Sequence, residues 1–244
     1  MDGFEAADDP RRRQLIAALT AGVFASGFVA RESLAATFFG TPPRKLPPEQ
    51  SIYRLEGDVR VNGAGARLDT AIGPKDTIET GDKSEIVFVV GGNSMIVRSN
   101  SVLKLDGGKE ESGFFISALR LLSGKLLSVS RNQKHAVTTA TATIGIRGTG
   151  FYVEADPELT YFCTCYGQTD IASVADPTSS ETVTATHHDK PLYITNNAQS
   201  GKNVRRAGFI NHTDQELMLI ETLVGRTPPF VFAGGEYSAP RKEY

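Results

Sequence analysis

Tryptophan is absent and cysteine occurs only twice among 244 residues, and each scarcity excludes something. Without tryptophan the chain lacks one common anchor for stacking on sugars or bases. Two cysteines, two positions apart, cannot staple a scaffold, so stability has to come from a hydrophobic core. Charge of one sign is also missing: 26 basic residues against 28 acidic ones leave a formal net charge of -2, with no basic field to gather nucleic acid or an anionic membrane surface. No Gly-x-Ser-x-Gly elbow accompanies the four histidines His135, His187, His188 and His212, so nothing marks a serine hydrolase. Nothing in the sequence argues for paired glycosidase carboxylates either, and an enzyme is not expected.

What is present points to strands. Twenty-four glycines and 12 prolines are spread between short runs of Val, Ile, Thr and Tyr, the pattern of strands joined by tight turns. Strand-like runs recur from Ile52 to Thr195, with Gly91-Gly92-Asn93 and Asp106-Gly107-Gly108 placed as reversals. The predicted fold class is all-β, a β-sandwich or β-roll of many short, mostly antiparallel strands, with one C-terminal helix. Thr213 and Glu216 form a capping box for that helix, and Leu217, Ile220, Leu223 and Val224 fall on one face, which is expected to cover the sheet. Gly225 and Pro228-Pro229 end it.

The N-terminus reads as an address. Arg11-Arg12-Arg13 precede the weakly apolar run Leu15 to Ala30, and Ser33-Leu34-Ala35 supplies small residues for a peptidase. Arg12-Arg13-Gln14-Leu15-Ile16 resembles a twin-arginine motif. An uncleaved span needs about 17–25 apolar residues, and this run is shorter. Residues 1–35 are therefore expected to be a signal peptide or a weak membrane anchor, 36–50 a Pro-rich tether, 51–170 a β domain, 171–232 a β continuation with the helix, and 233–244 a flexible tail.

Three local patterns follow in order: Gly73-Pro74-Lys75-Asp76-Thr77-Ile78-Glu79-Thr80-Gly81, then Asn100-Ser101 with Leu103 and Leu105, then Ile144-Gly145-Ile146-Arg147-Gly148-Thr149-Gly150-Phe151. Together they resemble the FecR-type domain, the periplasmic part of the ferric citrate uptake regulator. The resemblance spans roughly Gly57 to Asp170. It implies a periplasmic module, or one anchored in the inner membrane and facing the periplasm, that senses a ligand or an envelope protein. Nucleic acid is not an expected partner, and a membrane is one only if the leader stays attached. Ten residues before the arginine cluster are too few for a folded cytoplasmic domain, so the family's handling of a sigma factor is not expected here. The residues carrying the resemblance, Gly73, Asp76, Thr80, Gly81, Asn100, Ser101, Arg147, Gly148 and Thr149, are expected to shape the fold. The glycines around Arg147 do not make a phosphate loop, because a strand and not a helix follows them.

One constellation could carry chemistry. Cys163-Thr164-Cys165 lies in a β-prone run, so both thiols share a face. His187 and His188 follow, of which only one on a neighbouring strand could face the thiols, and His212 could add a fourth ligand. Three readings stand side by side: buried packing with no cofactor, a copper(I) or zinc site, or a strained, easily reduced redox pair.

Overall fold

The computed structural model describes residues 43–48, 50–130, 134–196 and 201–230. The expected leader (1–35), most of the tether and the tail (233–244) lie outside them. The first half contains β1 (Ile52–Glu56), β2 (Val59–Val61), β3 (Ala64–Gly65), β4 (Thr77–Thr80), β5 (Glu85–Val90), β6 (Asn93–Val97) and β7 (Val102–Glu110). Three long strands dominate the second half: β8 (Gly113–Ser130), β10 (Ala142–Ala155) and β11 (Leu159–Ser173). Shorter β9 (Lys134–Thr138), β12 (Ser180–Ala185), β13 (Leu192–Thr195) and β14 (Val204–Arg206) accompany them, and α1 (Asp214–Leu223) closes the described chain.

All these strands join one hydrogen-bonded sheet. Its pairings are antiparallel except where β8 meets β9. The long strands change partners along their length. Residues 113–123 of β8 pair with β7, while 124–129 pair with β10 and 126–130 also with β6. β10 pairs with β9 through 143–147 and with β8 through 150–155. A flat sheet could not bury Val59 from β2 and Leu192 from β13 in one cluster, yet both belong to the larger core. The sheet therefore curls around that core, as an all-β roll does.

One expected reversal moved. Asp106-Gly107-Gly108 is no reversal; it continues β7 through a bulge, and the turn falls after Glu110. Gly107 is there because a side chain would collide with the backbone of Phe115 across the ladder. Gly124 bends β8 at φ +89° without breaking it.

The second core cluster lies on the outer face of the roll, where Val87, Ile96, Leu127, Val129, Tyr152, Tyr161, Cys163 and Cys165 meet Leu217, Leu219, Ile220 and Leu223 of α1. The helix covers the sheet, as its apolar stripe predicts. Each such side chain stabilises by about 1.5–3 kcal/mol when fully buried. The capping box forms as expected. Polar clamps add direction: Arg98 pairs with Glu216 at 2.6 Å beneath the Tyr152 ring, and Glu221 holds both Tyr166 and Arg226. The end of the tether joins this layer, with Leu46 buried and its N–H bonded to the Leu223 carbonyl.

Candidate metal centre

Period-two alternation on β11 sends Thr160 and Phe162 one way and Tyr161, Cys163 and Cys165 the other, toward α1. Both thiols are free and fully buried. On the edge of β11 away from β10, β13 pairs only as far as Phe162 and β12 only from Gly167, which leaves residues 163–166 without a strand beside them. The connection after β12 fills that gap. Asp189 accepts from the Thr186 and His187 amides and tightens the turn. His188, at φ +53°, then donates its N–H to the Cys165 carbonyl.

That turn settles which histidine meets the thiols. The expectation placed the His187-His188 pair on a strand, but β12 ends at Ala185. His188 Nδ1 lies 3.5 Å from Cys163 Sγ, whereas His187 turns outward and puts Nε2 2.9 Å from Asp214. The fourth position belongs to His212, just before α1, whose Nε2 is 3.4 Å from Cys165 Sγ and 3.1 Å from His188 Nδ1. The ligand atoms of Cys163, Cys165, His188 and His212 all lie within 4.8 Å of one another. His187, His188 and Asp214 form an adjoining outer group.

The far side of each imidazole is committed. His212 Nδ1 donates to the Ile210 carbonyl at 2.7 Å, and its ring stacks on Tyr152. His188 Nε2 donates to Asp214 Oδ1 at 3.0 Å. These partners fix the tautomers and aim His188 Nδ1 and His212 Nε2 inward. Burial opposes ionisation of Cys163, but Cys165 and the two imidazoles together hold it well below the usual thiol value. Cys165 is pushed up by burial and then by its neighbouring thiol. Burial likewise opposes protonation of His188, yet Asp214 and Cys163 outweigh it and raise that ring to about 9.

The other singled-out residues shape turns. Asp76 accepts from the Gly73 amide and from Asn62. Thr80 donates to the Arg98 carbonyl and accepts from the Ser101 amide, while the Ser101 hydroxyl accepts from the Lys125 amide at the β8 bend. Gly81 and Asn100 are joined through their backbones, with Asn100 at φ +58°. Arg147 pairs with Asp170, Gly148 sits at φ +63° in the β10 bulge, and Thr149 is fully buried.

Residues 76–164 match the family model described as FecR protein. The FecR-like segment thus runs from β4 into β11 and includes most of the motif residues that carried the resemblance. It stops one residue short of Cys165, so Cys165, His188, His212 and α1 all lie beyond it. Two crystal structures of a candidate anti-sigma factor from Parabacteroides distasonis ATCC 8503, at 1.65 and 2.50 Å resolution, are similar in part. Each is 14% identical and covers 54% of this chain and 58% of that one, with TM-scores of 0.41 and 0.42. No curated protein matches the chain.

Proposed function

We propose that the chain is a non-enzymatic regulatory module of FecR type that works outside the cytoplasm, sensing or contacting an envelope partner. The observation that carries this reading is the family match over residues 76–164. The geometry supports it, because the FecR-like motif residues form turns, a bulge and one surface ion pair rather than converging on a cleft. The arginine cluster and the small-residue run after it support export.

Transcript profiling of a deletion strain tests the reading. A discrete set of transcripts should shift, and an exported copy should restore it while a copy retained in the cytoplasm should not. Unchanged transcripts, or rescue by the retained copy, would overturn it.

A further inference from the structure

The geometry points to a tetrahedral zinc(II) centre built from Cys163, Cys165, His188 and His212, which closes the C-terminal layer onto the FecR-like sheet. The first observation is dimensional. Zinc holds thiolate at about 2.3 Å and imidazole at about 2.0–2.1 Å, so a regular S2N2 tetrahedron has sulfur–nitrogen edges of about 3.5–3.6 Å and a nitrogen–nitrogen edge of about 3.3 Å. The corresponding separations here are 3.5, 3.4 and 3.1 Å. Side chains from three separate stretches of chain therefore match three of the six edges of the polyhedron the ion requires, with all four ligand atoms within 4.8 Å of one another.

The second observation is chemical. The Ile210 carbonyl can only accept, so His212 carries its proton on Nδ1 and leaves a lone pair on Nε2. Asp214 accepts from the His188 Nε2–H, so the neutral His188 ring has its lone pair on Nδ1. With both rings neutral, two nitrogen lone pairs face one another across 3.1 Å in a buried site beside two thiols. One proton can relieve the nitrogen pair alone. A divalent ion binding two thiolates satisfies all four ligand atoms and leaves the buried unit neutral.

The third observation is the surrounding shell. Asp214 behind His188 and a backbone carbonyl behind His212 are the partners that orient zinc-bound imidazoles. All four ligands are buried, and no position is left for water, which marks a structural centre rather than a catalytic one. The inference is independent of the regulatory reading, since Cys165, His188 and His212 lie outside the family match.

Elemental analysis of the full chain, purified without chelators, should find one equivalent of zinc. After stripping, cobalt(II) should restore one equivalent, with intense visible bands and near-ultraviolet thiolate charge transfer diagnostic of a tetrahedral S2N2 site. Cys163→Ser and His212→Asn should each lose the bound zinc. If either variant fails to fold, cobalt titration of the unaltered protein decides alone. Purified protein holding a different metal, a weak octahedral cobalt spectrum, or full zinc occupancy in a Cys163→Ser, Cys165→Ser double variant would overturn the inference.

Discussion

Asp214 accepts from Nε2 of both His187 and His188, so one carboxylate orients a buried imidazole and ties it to a half-buried one. Asp214→Asn keeps an acceptor but removes the charge, and zinc affinity should fall about 10–100-fold while the stoichiometry stays at one; competition against a chromophoric chelator measures this. A second residue acts through stability. His135 faces the core beside Phe151, neither ring nitrogen has a hydrogen-bond partner among the described residues, and burial lowers its pKa to about 4. The unfolded chain takes up a proton near 6.5 and the folded one only near 4. Stability is therefore complete above about pH 6.5 and declines as the pH falls through 4, by about 3 kcal/mol in all. His135→Leu should remove that acid loss and add about 1 kcal/mol at neutral pH; urea denaturation at pH 7.5 and pH 4 checks both, and an unchanged acid loss would refute it. Of the candidate site, the shared face of Cys163 and Cys165 was legible from strand periodicity. The choice of His188 over His187 was not, because it depends on where β12 stops and how Asp189 caps the next turn.

At the scale of elements, α1 was legible because its signals are local: a capping box, an apolar stripe and a terminating glycine. The long strands were not, since Gly124 and Gly167 occupy positive-φ bends inside continuous strands. Their role depends on partners far along the chain. Gly150 shows how the FecR-like motif reaches the helix. A Cβ there would stand 2.4 Å from the Tyr166 ring, and the Tyr166 hydroxyl donates to Glu221 of α1. Gly150→Ala should therefore displace that ring and cost about 1–3 kcal/mol. Urea denaturation measures the loss; removing Glu221 as well should then cost less than it does in the unaltered protein.

Across the whole molecule, the rolled sheet has its own closed core, whereas the outer layer depends on α1, the 186–189 turn and the end of the tether meeting over β5, β6, β8, β10 and β11. Sequence patterning conveyed the all-β class and the covering helix but left sandwich and roll open, because alternation records which residues are buried and not which distant strands share a cluster. The four proposed zinc ligands come from both parts: two from β11 in the sheet and two from the segments that cover it. Bound zinc should consequently hold the outer layer without being needed by the FecR-like sheet. Amide hydrogen exchange with and without zinc tests this most directly. Removal of zinc should speed exchange in 214–223 by at least tenfold while β4 to β8 remain protected; equal exchange in the helix with and without zinc would contradict the account.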